Sequence, residues 1–152
     1  MKWIFGIGLA AFLCHAVQAA EKLEPTEWRW TEVMPVDGRW ETVEGPATVE
    51  IAGGKVHAAL RWRKEDSDPY YDITGSIQMQ RPEQYLRPGK VTATVKRGPT
   101  DYNPFFQIEG TYFKLVYDAI SRKSSGMDSL ETIMLHDGFK MIGLTRQTKI
   151  VP

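Results

Sequence analysis

Polar and apolar residues alternate with a period of two along most of the chain after residue 36, and glycine and proline interrupt the alternation. Such a pattern places every second side chain on the same face of a β-strand. It predicts about eight short strands and contains no convincing amphipathic helix. Hairpin links favour an all-β fold, a single antiparallel up-and-down barrel, because closure removes exposed strand edges. A two-sheet β-sandwich is the alternative.

The clearest hairpin surrounds the two glycines at 53 and 54, which separate alternating runs at 47–52 and 55–64. A two-residue turn there predicts one register for the whole hairpin. Its apolar pairs share one face, and they are Ile51 with Val56, Val49 with Ala58, and Ala47 with Leu60. Its other pairs suit solvent, and they are Glu50 with His57 and Thr48 with Ala59.

Two further turns are predicted from short dipeptides. Gly45-Pro46 ends a first strand that opens near residue 37. The dipeptide at 137–138, Asp-Gly, is a strong hairpin signal, and a two-residue turn there pairs Ile133 with Ile142. Both faces of this last hairpin are apolar, so a segment outside the sheet is expected to cover one of them.

Residues 1–20 have the layout of a secretory signal peptide: a basic start, an apolar run and small residues before Glu21. We expect cleavage near residue 20, leaving no stable membrane anchor, although an uncleaved anchor is the alternative. Residues 21–36 are predicted to pack on a barrel that spans residues 37–152. The single cysteine, Cys14, leaves with the signal peptide, and no glycosylation acceptor exists. These features favour a bacterial periplasmic or secreted protein.

The charge balance and motifs exclude several function classes. The chain has 19 Lys and Arg against 19 Asp and Glu, so broad electrostatic binding of nucleic acid is not expected. It lacks the catalytic motifs of serine hydrolases and the glycine loops that bind phosphates. His57 and His136 are too few for a zinc site, and the aspartates at 66–68 lack the rest of a calcium loop. We therefore expect no catalytic residue, no metal and no cofactor.

Gly38-Arg39-Trp40 at a strand opening, consecutive hairpins and Arg146 near the end together resemble the calycin barrels. This group contains the lipocalins, the avidin-like proteins and small secreted protease inhibitors of similar shape. The resemblance implies a barrel with one open end that holds a ligand or meets a partner. It does not imply biotin binding, since the avidin-type ligand residues are not recognisable at 41–46.

Alternate loops of an up-and-down barrel lie at the same end. The predicted loops at 44–46, 65–70, 98–104 and 137–138 therefore form one rim rich in acidic and aromatic residues. Trp62 and Tyr112 are expected to line the interior below this rim. The other candidate binding residues are expected around the mouth, and they are Tyr70, Tyr71, Asp101, Tyr102, Phe105 and His136. Inward glycines at 75, 110 and 143 indicate either a cavity or strand bending.

Three functions remain open on these grounds. The first is an exported, non-enzymatic barrel that binds a small apolar or amphipathic molecule at its open end. The second is a protein-binding inhibitor or immunity-type protein, which would use the same acidic and aromatic loops on an exported enzyme. The third is a subunit of an envelope assembly, suggested by the apolar faces of the last hairpin.

Overall fold

The computed structural model describes residues 21–79, 88–98 and 105–152. The predicted signal peptide and the candidate residues Asp101 and Tyr102 lie outside these ranges. The described chain forms nine strands and a short helix. They are β1 (Lys22–Pro25), β2 (Trp28–Val36), β3 (Arg39–Ala52), β4 (Lys55–Leu60), β5 (Tyr71–Gln78), β6 (Gly89–Arg97), β7 (Phe105–Val116), α1 (Ala119–Ser125), β8 (Met127–His136) and β9 (Met141–Val151).

The strands form a closed antiparallel barrel, which confirms the predicted fold class. Each strand from β2 to β9 pairs with the next one along the chain, and β9 then pairs with β2 to complete the ring of eight. Strand β1 is an addition outside this ring and pairs only with the end of β9. Ring closure gives every barrel strand a partner on both sides, a feature that a two-sheet sandwich lacks.

The segment at 21–36 belongs to the sheet, whereas the sequence indicated a segment lying against a barrel that starts at residue 37. Strand β2 pairs with β3 along its length and with β9 from Arg29 to Glu32. It therefore does not cover the outer face of the last hairpin. The alternation of Trp28 and Trp30 continues inward to Glu32, which is only 2% exposed. The hydrophobic pattern did not predict this strand, because a charged residue occupies one of its inward positions.

The predicted turn at Gly45-Pro46 is wrong, because β3 runs through it without a break. Residue Gly45 lies against the Trp30 ring and the carbonyl oxygen of Arg61, and a Cβ atom there would overlap that oxygen. Glycine is therefore required by a close approach of chains rather than by a turn. Up to Ala47 the strand pairs with β2, and from Ala47 onward it pairs with β4. The turn between β2 and β3 lies at residues 37–38 instead.

The two predicted hairpins have different outcomes. All five pairs predicted around residues 53–54 are present, so that register is confirmed. In the last hairpin Ile133 pairs with Leu144 rather than with Ile142. The loop is longer because the side chain of Asp137 accepts hydrogen bonds from the backbone N–H groups of Phe139 and Lys140. A shift of two residues keeps Ile133 and Ile142 on the same face of the hairpin.

The core fills the inside of the barrel with alternate residues from all eight strands. Fully buried examples are Leu60, Ile73, Val91, Ile133 and Leu144. The predicted inward glycines do not leave empty space. A Cβ atom at Gly75 would collide with the backbone of the neighbouring β6, and one at Gly110 with the backbone of β8. The third glycine, at position 143, lies on the outer face, against Thr31 and Met134. Gly75 and Gly110 therefore allow close strand approach.

Helix α1 closes the connection between β7 and β8, although the sequence contains no convincing amphipathic helix. The side chain of Asp118 accepts hydrogen bonds from two backbone N–H groups of the first turn, and Gly126 ends the helix in the left-handed conformation. In the described ranges no helix has the length and apolar character needed to cross a membrane.

Candidate functional site

One end of the barrel carries a continuous group of aromatic rings, called here the aromatic end. It lies where β4 and β5 are joined by residues 61–70 and where β8 and β9 are joined by residues 137–140. The ring centroids of Trp62 and Tyr70 are 4.7 Å apart, and those of Tyr70 and Tyr71 are 4.4 Å apart. Trp30 lies beneath them, with its centroid 5.0 Å from that of Trp62. Phe106 extends the group, 6.5 Å from Tyr71.

Backbone bonds in the 61–70 loop hold these rings in place. The Tyr70 N–H donates to the carbonyl of Leu60 over 2.7 Å, so the loop returns to the strand from which it leaves. The Trp30 indole N–H donates to the carbonyl of Arg61 at 2.7 Å. Inside the loop the carboxylate of Asp66 accepts from the backbone N–H of Arg63. The predicted acidic rim is thus partly used as turn structure, and Asp66 also pairs with the Arg63 side chain.

A buried carboxylate lies below the aromatic rings. Glu32 Oε1 accepts a hydrogen bond of 3.2 Å from the hydroxyl of Tyr71, and the Lys140 Nζ atom is 3.4 Å from the same oxygen. Lys140 also donates to the Tyr71 hydroxyl at 3.0 Å. Burial, and then the charge of Glu32, raise the pKa of Tyr71 far above its ordinary value. Tyr71 is therefore a neutral donor over the whole range of physiological pH.

The second oxygen of Glu32, Oε2, is buried and has no hydrogen-bond partner in the part of the chain that the structure describes. Buried carboxylate oxygens normally have partners, because an unpaired one loses its hydration without compensation. Because the other oxygen of the same carboxylate accepts the Tyr71 hydroxyl, this unpaired atom belongs to the aromatic end.

The opposite end is closed by a second polar group. Arg146 donates to Glu131 Oε1 through Nε at 3.2 Å and Nη2 at 2.7 Å, and Tyr112 donates to the other Glu131 oxygen at 3.1 Å. The guanidinium of Arg146 lies 5.0 Å from the ring centroid of Trp28. Both carboxylate oxygens of Glu131 are therefore paired, in contrast to those of Glu32.

A cavity of about 360 Å³ opens in the barrel wall beside the 61–70 loop, and Arg61 and Lys64 of that loop line it. It lies where β3 separates from the beginning of β2, and its apolar lining includes Trp28, Pro46 and Val49. An ion pair between Lys64 and Glu27, two residues that line it, lies on the exposed surface. The sequence did not predict this opening, because a turn was expected at Gly45-Pro46 and the barrel was expected to start after β2.

Of the six candidate residues in the described ranges, the structure brings together Trp62, Tyr70 and Tyr71. Tyr112 faces inward as expected but lies at the opposite end of the barrel. Phe105 is 68% exposed, and the neighbouring Phe106 packs against the core in its place. His136 is exposed at the end of β8. Trp62 itself is 43% exposed, so it borders the mouth rather than lining the interior.

Sequence reasoning missed Glu32, Lys140 and Phe106. A usable signal for Glu32 was the alternation that it continues from the two tryptophans of β2. Lys140 had no such signal, because its position depends on the four-residue loop held by Asp137. Among the described residues no three His, Cys, Asp or Glu side chains lie close enough together to hold a metal ion.

Trp40 and Arg146, two of the residues that suggested the calycin resemblance, lie apart from each other in the structure. Trp40 is 72% exposed on the hairpin of β2 and β3, and the ring under Arg146 is that of Trp28. What the structure shows of that resemblance is the closed eight-stranded antiparallel barrel itself.

Comparison with known proteins leaves the family open. No family model matches the chain, and no curated protein matches it. One solved structure that it resembles is the ywiB protein from Bacillus subtilis, with 10% sequence identity over 88% of this chain and 96% of that one. The TM-score of 0.32 is too low to indicate a shared fold or function.

Proposed function

We propose that this protein binds a small, partly apolar molecule at the aromatic end of its barrel. The observation that carries the proposal is a continuous group of aromatic rings, from the half-exposed Trp62 to the buried Tyr71, whose last member donates to a buried carboxylate with an unpaired oxygen. Ligand sites are commonly built in this way, with apolar and aromatic walls and a few polar groups that fix orientation. Trp62 and Tyr70 would contact the apolar part of the ligand, and Glu32 would bind its polar part.

The proposal includes export and a non-enzymatic role. The signal-peptide pattern of residues 1–20 supports delivery to the periplasm or the exterior of a bacterium. The closed up-and-down barrel supports membership of the calycin-like class, in which the open end of a barrel holds a ligand. The proposed site contains a carboxylate, a lysine and phenols, and these groups can hydrogen-bond to a molecule and orient it.

Native mass spectrometry of the protein, purified gently from its own host, tests the proposal. We expect a reproducible added mass of a few hundred daltons on the wild type. Trp62→Ala should lose this mass, because it removes the exposed ring of the cluster. Trp40→Ala is the matched control, since it removes an exposed tryptophan on the β2–β3 hairpin and should retain the mass. A bare wild-type protein, or equal retention by both variants, would refute the site.

A protein partner is the second candidate, and exposed apolar side chains near the same end favour it. Phe139 at the tip of the last hairpin is 98% exposed, and Phe105 and Met141 are more than half exposed. Such side chains act as anchors in protein interfaces. If the protein is an inhibitor or immunity-type protein of an exported enzyme, Phe139→Ala should weaken that complex. The same variant should not change retention of a small molecule, because Phe139 is 98% exposed whereas Glu32 is buried.

A further inference from the structure

Lys140 contacts only one of the two oxygens of the buried Glu32 carboxylate. Its Nζ atom approaches Glu32 Oε1, the same oxygen that already accepts the Tyr71 hydroxyl. The Oε2 atom has no partner among the described residues. An ammonium group has three protons to donate and a carboxylate has about four acceptor positions, so the pair is far from satisfied.

The loop that carries Lys140 explains why the contact is incomplete. Asp137 Oδ1 accepts from the backbone N–H groups of Phe139 at 2.8 Å and of Lys140 at 2.6 Å. These bonds, that of Lys140 first, lower the pKa of Asp137 because they stabilise its charged form. The lysine is therefore tethered at its backbone, and its side chain enters the site from one side only.

We infer that the molecule bound at the aromatic end carries a primary ammonium group, which displaces Lys140 from Glu32 and Tyr71. This inference rests on the proposed function and names the chemical class of its ligand. Lys140 demonstrates that the site accepts an ammonium group. A ligand without the tether can approach both oxygens of Glu32 and so satisfy the one that Lys140 leaves unpaired.

The surroundings favour a cation over other head groups. Lys140 Nζ lies 5.4 Å from the ring centroid of Tyr71 and 5.2 Å from that of Phe106, so a cation there has aromatic faces beside it. A carboxylate or phosphate would meet the buried charge of Glu32 and be repelled. Lys140 itself is one-third exposed, so its side chain has solvent to move into when it is displaced.

Three probes of one length test the inference: hexylamine, hexanol and hexanoate, each titrated at neutral pH with tryptophan fluorescence as the readout. Hexylamine is protonated at this pH, as a lysine is. We expect it to bind at least about tenfold more tightly than hexanol, the margin typical of a charged hydrogen bond. Hexanoate should bind more weakly than hexanol. Equal or tighter binding of hexanol or hexanoate would overturn the inference and leave the proposed function intact, whereas no binding of any probe would overturn both.

Two matched pairs of variants locate the effect. Glu32→Gln should remove the preference for hexylamine, and Glu131→Gln, a buried carboxylate at the other end, should retain it. Lys140→Ala removes the internal competitor and should tighten hexylamine binding about tenfold. Lys149→Ala, which changes an exposed lysine of the following strand β9, should leave it unchanged.

Retention of the preference in Glu32→Gln, or unchanged affinity in Lys140→Ala, would overturn the inference. Far-UV circular dichroism checks that each variant is folded. If Glu32→Gln fails to fold, the comparison of Lys140→Ala with Lys149→Ala decides the question by itself.

Discussion

Single residues of this barrel are constrained most strongly where two backbones touch. Gly110 in β7 faces Leu135 in β8, and a Cβ atom at position 110 would overlap the carbonyl oxygen of Met134. Backbone cannot move aside as a flexible side chain can. Gly143 differs, because a Cβ atom there would meet only the side chains of Thr31 and Met134, at 3.0 and 3.3 Å.

Gly110→Ala should therefore destabilise the protein by about 3 kcal/mol, since the added methyl forces the two strands apart. Gly143→Ala is its control and should cost less than about 1 kcal/mol, because the side chains near it can adjust. Urea unfolding followed by tryptophan fluorescence measures both. Similar losses in the two variants would contradict the view that Gly110 serves a close backbone approach.

At the scale of the element, β8 and β9 carry the polar pair that closes the end opposite the aromatic one. Glu131 from β8 accepts hydrogen bonds from Arg146 of β9 and Tyr112 of β7, so one carboxylate joins three consecutive strands. Burial, and then the charge of Glu131, raise the pKa of Tyr112 to about 12. In the unfolded chain a tyrosine ionises near pH 10.

Between these two pH values the folded protein keeps a proton on Tyr112 that the unfolded chain loses, so stability falls as the pH rises. Tyr112→Phe should cost about 1 kcal/mol at about pH 8, the value of one lost hydrogen bond. It should also make the further loss of stability between about pH 8 and about pH 11 smaller than in the wild type. Urea unfolding at both pH values measures this. An equal alkaline loss in both proteins would contradict the assignment.

At the scale of the whole molecule, the pairing of β2 with β9 converts a chain of hairpins into a ring. Thr31 lies at this closure, opposite Gly143 of β9 on one side and Glu44 of β3 on the other. Strand β1 contributes differently, since it pairs only with β9 and its residues are exposed. Leu23 lies two residues before Pro25 in β1, so its backbone faces the same side as that of Pro25. The strand therefore already contains a residue without a backbone N–H at an equivalent position.

Thr31→Pro should lower the free energy of unfolding by at least about 2 kcal/mol, because proline removes a ladder hydrogen bond between two partner strands. Leu23→Pro is the matched change on β1 and should be nearly neutral. Thermal unfolding by circular dichroism distinguishes them. A larger loss from Leu23→Pro than from Thr31→Pro would mean that β1, and not the closure of the ring, dominates stability.

Local pattern predicted much of the fold because strand faces depend on neighbours along the chain. The all-β class and the register around residues 53–54 followed from alternation and glycine turns alone. The predictions failed where a residue's role depends on a distant contact. Gly45 resembles a turn residue, and the Arg61 carbonyl and the Trp30 ring that lie against it explain why it stands inside a strand.

The candidate site was predicted in part for the same reason. Trp62, Tyr70 and Tyr71 lie in one loop and at the start of the next strand, so their proximity follows from the sequence. Glu32 and Lys140 are far apart along the chain, and they meet because β9 turns back beside β2.

The sequence by itself determined the strand periodicity, the central hairpin and the aromatic character of one loop, since these depend on residues a few positions apart. Tertiary structure decided that β2 is a wall of the barrel, that the ring closes through β9, and that a buried carboxylate lies beneath the aromatic rings. Closure brings the two ends of the chain together, and no local pattern specifies which side chains then meet inside.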